Sequence, residues 1–272
     1  MGIDKETGQF IKRVKELALL SQLRYMNNFT SFLSLNEISE FYKITKEIAP
    51  VSFSVFGGTN TSERKMICFH GEEYLIEDAQ RTNNPNEVML SFEKYVNLYP
   101  IDCIQIEPIS YKFSDDLTHR DYLGALMNLG IDRSKIGDIL LEEKKANVFC
   151  CERISNYIVE QLQKVKHTNV KCMKIEMKEF HIEQKYMEVQ GTVSSIRLDS
   201  MIAVAFHTSR SSIKGYIEGG KVFVNGKEIV SNSYVLKEND IVSVRGMGKF
   251  VYAKTIYQTK KGRYSISIKR YI

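Results

Sequence analysis

The chemistry most plainly written in this chain is the binding of phosphate. Arg210 and Lys214 stand four residues apart in a segment with helix spacing, so they share one face. Ile213 and Ile217 are also four apart but lie on another face, where they can enter a core. Lys221 follows the helix end, and Asn225 and Lys227 belong to the hairpin next to it. Ser209 stands at the helix start, where its hydroxyl and the free backbone N–H groups can receive an anion. With Arg197 these residues make one cationic face that holds phosphates by charge and geometry and reads no base. Arg210 is expected to matter most, because it sits in the first turn and its planar fork can grip a phosphate through two hydrogen bonds. Its replacement by Glu is expected to remove binding with the fold intact. The plainer alternative is an exposed amphipathic helix with ordinary surface lysines.

No comparable arrangement for catalysis or metal binding emerges. His119-Arg120-Asp121 is shared with the kinase catalytic loop, but that loop needs Asn where this chain has Leu126, and neither D-F-G nor a glycine-rich loop accompanies it. Arg120 and Asp121 are expected instead to orient a helix start, pairing with Asp138 or Arg133. Gly246 and Gly248 lack the third glycine and following helix of a dinucleotide site. The five histidines include no pair at i, i+4, and the five cysteines include no C-x-x-C. Cys150 and Cys151, adjacent in an apolar run, read as buried reduced thiols. The expectation is a chain with no catalytic residue, no metal and no cofactor.

Charge is unevenly distributed. Residues 180–272 hold 15 basic and 7 acidic side chains, whereas residues 1–179 hold 23 basic and 26 acidic, so a net +8 follows a net −3. A basic end on an acidic remainder suits a polyanion-binding module. At 43% hydrophobic and 26% charged the chain has enough apolar residues for packed cores, which excludes disorder throughout. No run approaches the ~20 apolar residues of a membrane span. The first ten residues lack a secretory or myristoylation signal, so a cytoplasmic protein without membrane contact is expected.

The elements that must position these residues are α+β, and 272 residues suggest more than one domain. Residues 1–80 read as a small helical unit with a hairpin: a helix over 6–27, a second from a cap at Ser34 or Asn36 to about Ile48, and strands over 51–56 and 65–70. Residues 81–86 form a polar loop. Residues 81–178 then carry strand 101–109, a helix from Thr118 or Asp121 through Met127, strands 136–141 and 147–151, helix 152–165 and strand 170–177. That β-α-β-β-α-β order is the ferredoxin-like, RRM-like plan. The aromatic pattern with which such sheets stack bases is missing, since 147–151 holds one aromatic, Phe149. In residues 179–272 a strand over 189–194 precedes helices over 197–205 and 210–218. Gly219 and Gly220 stop the second helix, and Asn225-Gly226 is a strong two-residue hairpin signal between strands 222–224 and 228–230. Strand 240–244 and a hairpin of 250–257 with 263–271 complete the chain.

Arg197-Leu198-Asp199, Ser209-Arg210, the run from Ile217 through Gly220, Val222, Val224, Asn225 and Gly226, and Asp240 resemble the S-four RNA-binding domain, named for the fourth protein of the small ribosomal subunit. The likeness covers about 195–245 and implies a C-terminal α/β RNA-binding domain. Residues 119–140, HRDYLGALMNLGIDRSKIGDIL, are similar to the YlmH family of bacterial proteins. That resemblance implies a non-enzymatic RNA-binding protein on the large ribosomal subunit, with ribosomal RNA or tRNA as partner, linked to rescue of stalled subunits. The alternative is an RNA-modifying enzyme that uses the C-terminal domain for targeting, although neither a synthase-type catalytic Asp nor a nucleotide-cofactor glycine motif is found in residues 1–180. A third reading makes the acidic front half a dock for a protein partner.

Overall fold

The computed structural model describes residues 5–71, 80–82, 84, 86–177 and 186–271. The chain divides into two compact units, Met1–His181 and Ile182–Ile272. The expected boundary at 178/179 lies outside the described residues, as do Asn83 and Pro85 of the expected polar loop. Among the described residues no helix is long and apolar enough to cross a membrane.

The first unit opens with α1 (Lys5–Arg24), β1 (Asn28–Phe29), α2 (Leu35–Ile44), β2 (Phe53–Phe56) and β3 (Met66–Phe69), the strands ordered β1-β3-β2. Val14, Leu17, Ala18 and Ser21 form the buried stripe of α1, as 3.6-residue periodicity requires. Ser34 caps α2 through a reciprocal box with Glu37, whose carboxylate receives the Ser34 N–H at 2.7 Å. The expected run to Ile48 stops at Ile44, where the chain tightens into an i→i−3 bond from Glu47 N–H to the Ile44 carbonyl at 2.8 Å. A short pair, β4 (Gln80–Arg81) with β5 (Val88–Met89), precedes α3 (Phe92–Leu98), a helix the sequence reading did not anticipate. The Ser91 hydroxyl caps it by accepting the Lys94 N–H.

There follow β6 (Ile101–Pro108), α4 (His119–Asn128), β7 (Ile136–Glu142), β8 (Lys145–Cys151), α5 (Glu152–Gln161), β9 (Lys164–Val165) and β10 (Thr168–Ile175). The antiparallel order β7-β8-β6-β10-β9 is the ferredoxin-like sheet with one added edge strand. The expected continuation of α5 to Val165 is corrected: the helix ends at Gln161, and Lys164 and Val165 turn back to pair with Asn169 and Thr168. One face of the sheet, with Ile104, Ile106, Val148 and Cys150, packs on Tyr122, Leu126 and Ile158 of the helices. The opposite face, with Cys103 and Phe149, is covered by Phe32, Phe56, Met66, Tyr95 and Tyr99. Gly58, at φ +105°, lies so close to the Phe149 ring that a Cβ would collide with it. Arg64 adds polar ties, donating from Nε to the Ile136 carbonyl and from Nη2 to the Phe32 carbonyl, both at 2.9 Å. The sheet's lone aromatic of interest is therefore sealed, and no base can stack on Phe149.

The second unit runs β11 (Tyr186–Val193), α6 (Leu198–Ala205), α7 (Arg210–Glu218), β12 (Val222–Val224), β13 (Lys227–Glu228), β14 (Ile241–Val244), β15 (Gly248–Gln258) and β16 (Tyr264–Tyr271). Its six strands are ordered β11-β16-β15-β14-β12-β13. Leu198, Ile202, Ile213 and Ile217 of the helices bury against Val189, Val242, Phe250 and Ile268 of one sheet face. Asn225 and Gly226 take φ of +49° and +81°, the primed turn that matches strand twist. The expected return strand over 228–230 is corrected to Lys227–Glu228: the Ile229 N–H still meets the Val222 carbonyl at 3.0 Å, and Val230 then leaves the sheet, exposed.

Candidate nucleic-acid interface

At the start of α7 the Ser209 hydroxyl accepts the Ser212 N–H at 3.2 Å and exchanges hydrogen bonds with the Ser211 and Ser212 hydroxyls at 2.9 Å each. The hydroxyl expected to meet a phosphate is thus the helix cap. Arg210 turns its fork onto α6: Nε donates to Asp199 Oδ2 at 3.1 Å and Nη2 to the same oxygen. The Asp199 side chain is only 8% exposed, and its other oxygen lies 3.4 Å from Arg197 Nε and accepts the Ser200 N–H at 2.8 Å. Arg197, Ser209 and Arg210 therefore do gather at one place, but two guanidinium groups converge there on one carboxylate, which leaves a net single positive charge.

Farther along α7, Lys214 Nζ is 3.7 Å from Glu218, both side chains being exposed. Lys221 lies with Nζ 5.3 Å from the Tyr216 ring centroid. Asn225 is exposed but its amide is engaged within the chain: its Nδ2 donates to Asp240 Oδ1 at 2.8 Å and its Oδ1 accepts the Ile241 N–H at 2.9 Å. Asp240 in turn accepts the Lys237 N–H at 2.8 Å, so Asn225 and Asp240 close a loop rather than present donors to a ligand. Lys227 is exposed on the edge strand opposite Val224. The seven sequence-derived residues thus divide into a paired cluster at the α7 start, two cations along and just past α7, one surface loop tie and one edge lysine.

Elsewhere the expected partners of Asp121 are corrected. Its carboxylate receives the Thr118 N–H and hydroxyl at 2.7 Å each and pairs with Lys166 at 2.9 Å, because a helix-start carboxylate is drawn to the free N–H groups of its own cap. Those contacts hold it down at about 2. Asp138 accepts the Glu63 and Arg64 N–H groups instead, and Arg133 donates to the Ile136 carbonyl. His70 does meet Cys68, at 3.8 Å through Nδ1, and its Nε2 meets the Ser54 hydroxyl at 2.9 Å. Burial pushes the Cys68 thiol up and the His70 imidazole down to about 4, so this pair is a neutral core contact rather than an activated nucleophile. All five cysteines are free thiols, and among the described residues no group of three His, Cys, Asp or Glu could hold a metal ion.

Residues that the sequence reading passed over lie on β15 and β16. Lys249 Nζ sits 4.5 Å from the Tyr271 ring centroid and Lys269 Nζ 5.8 Å from that of Tyr186, and the two rings meet edge to face at 4.9 Å. Lys254, Lys260, Lys261 and Arg263 are exposed along the same hairpin. A charge count over shorter windows would have found them.

Residues 97–179 match the family model described as "Putative RNA-binding domain in YlmH", and residues 196–242 match the S4 domain. The "Ribosome-associated protein quality control protein P2" of Bacillus subtilis (strain 168) is 26% identical over 270 residues, which is 98% of this chain and 96% of that one. The solved "Cell division protein ylmH from Streptococcus pneumoniae" is 19% identical, with a TM-score of 0.47, covering 66% of this chain and 96% of its own. The ferredoxin-like sheet occupies the first matched segment, and the α6–α7 pair with the Asn225-Gly226 hairpin occupies the second. Residues 97–179 thus carry a match to a YlmH-type RNA-binding domain, and residues 196–242 carry an S4 domain match after it.

Proposed function

We propose that this chain is a non-catalytic RNA-binding protein that works on the large ribosomal subunit in the cytoplasm, in rescue or quality control of stalled synthesis. It would do so as three parts, 1–80, 81–178 and 179–272, with ribosomal RNA or tRNA bound through the basic last part. The observation that carries the reading is the succession of two RNA-binding domain matches in one chain. The near full-length likeness to a ribosome-associated quality control protein supports the ribosomal setting. The buried Cys68 thiol beside His70 gives no support to thiol chemistry, because burial holds it in the protonated form and the thiolate is the nucleophile.

The test is sedimentation of the purified chain with separated ribosomal subunits, followed by a salt wash. Co-sedimentation with the large subunit, released by salt, is the expected result. Partition to neither subunit overturns the reading. Mass spectrometry of RNA after incubation with a methyl donor should show no shift, and a stoichiometric shift establishes the modifying enzyme instead.

A further inference from the structure

The basic excess of the second unit does not reside in its S4 match. Residues 180–240 hold seven basic and seven acidic side chains, so they are neutral overall. Residues 241–272 hold eight basic side chains and no Asp or Glu, so the whole excess lies in and beside the β15–β16 hairpin, beyond the matched residues 196–242. The helix side is also partly compensated in space: Arg197 and Arg210 share Asp199, which leaves one positive charge there, and Lys214 is near Glu218.

Strand alternation decides where the hairpin's cations point. Phe250, Tyr252, Ile266 and Ile268 enter the core beneath α6 and α7. Their neighbours Lys249 and Lys269 must therefore face the opposite way. Lys254 pairs across from Ser267 and Tyr257 from Ser265, which places both on that same outer face. Tyr186 and Tyr271 lie there too, beneath Lys269 and Lys249. Among the described residues, Glu188 shares this face opposite Lys269 and accepts the Ser267 hydroxyl at 2.8 Å, and Glu238 accepts the Thr255 N–H at 2.8 Å, so one carboxylate stands among these lysines. Lysines over tyrosine rings, on a sheet face backed by an acid-free hairpin, suit a chain of phosphates whose sugars and bases can contact the rings.

We propose that the face of β11, β16 and β15 turned away from the helices binds RNA phosphates, and that it supplies more of the electrostatic attraction than the α7 face. This rests on the RNA-binding reading above and assigns the surface that performs it.

The experiment uses the full chain and a labelled RNA hairpin, with anisotropy titrations across a salt series. Lys254→Glu/Lys269→Glu should weaken binding by at least about tenfold, and Lys254→Gln/Lys269→Gln should lower the log–log salt slope by roughly two, one for each lost phosphate contact. The Gln pair keeps the test valid if the Glu pair misfolds, which circular dichroism reads. Lys214→Gln/Lys227→Gln should cost less than the outer-face Gln pair. If the outer-face Gln pair binds with the wild-type affinity and slope while the Lys214/Lys227 pair is impaired, the surface is wrongly assigned although the RNA reading stands. A wild-type chain that fails to bind the hairpin, transfer RNA and ribosomal RNA alike overturns the RNA reading, and this assignment with it.

Discussion

Arg210 closes on Asp199 and so ties the first turn of α7 to the first turn of α6, with Nε 3.1 Å from the carboxylate. The residue expected to grip a ligand has its fork engaged within the fold. Arg210→Ala leaves a nearly buried carboxylate with Arg197 and the Ser200 N–H on one oxygen and strips the other oxygen of its guanidinium, and should cost about 1–3 kcal/mol of stability in urea unfolding. Adding Asp199→Asn should recover part of that loss, giving a less than additive double mutant. Arg210→Glu sets like charges together and should unfold more readily than Arg210→Ala. The expectation that it stays folded while losing RNA binding is therefore revised. Equal urea midpoints for all three variants and wild type would remove the structural role.

Asn225 should behave as a loop tie. Asn225→Ala removes one of the partners of Asp240 and the side-chain acceptor of the Ile241 N–H, and also loses a side chain tolerant of φ +49°. A loss of about 1–3 kcal/mol is expected, with RNA affinity unchanged where the variant is folded. A tenfold fall in affinity without a stability change would make Asn225 a ligand contact after all.

Gly58 should tolerate no side chain. Gly58→Ala meets both a positive φ and the Phe149 ring, so a loss of about 2–4 kcal/mol is expected. Phe149→Leu in the same chain should relieve part of it by making room. A Gly58→Ala thermal midpoint equal to wild type would contradict the packing described.

His70 makes stability pH dependent. Its folded-state value of about 4 lies below the ordinary value of 6.5, because burial disfavours the cation. Protonation therefore favours the unfolded chain. The stability is fully present above 6.5 and is lost as pH falls through the window from 6.5 toward 4. Between pH 7 and pH 5 the loss should be about 2 kcal/mol relative to His70→Gln. Urea midpoints for both chains at the two pH values give the difference, and parallel behaviour would refute it.

The parts legible in the sequence were those specified locally. The α7 limits, the Ser209 cap and the Asn225-Gly226 turn rest on neighbours within a few residues, so spacing alone reveals them. The ferredoxin-like order was legible because each strand is a separate apolar run. What distance in sequence concealed was pairing: Arg210 with Asp199, Asn225 with Asp240, and Phe149 with Gly58. The two-residue β9 and the seven-residue α3 were too short to impose a period. The charge of the last hairpin was visible, but averaging over 180–272 merged it with a neutral neighbour.

The aromatic cover over Phe149 also dictates an order of events during synthesis. Phe32, Phe56 and Met66 leave the ribosome well before β6 and β8, the strands that complete their core. Until those strands arrive, the nascent N-terminal segment holds an apolar surface with nothing to close it, the condition that recruits chaperones or promotes aggregation. The first strands thus wait on the middle sheet, and a chain truncated before residue 150 should be cleared from the cell rather than accumulate as a folded fragment.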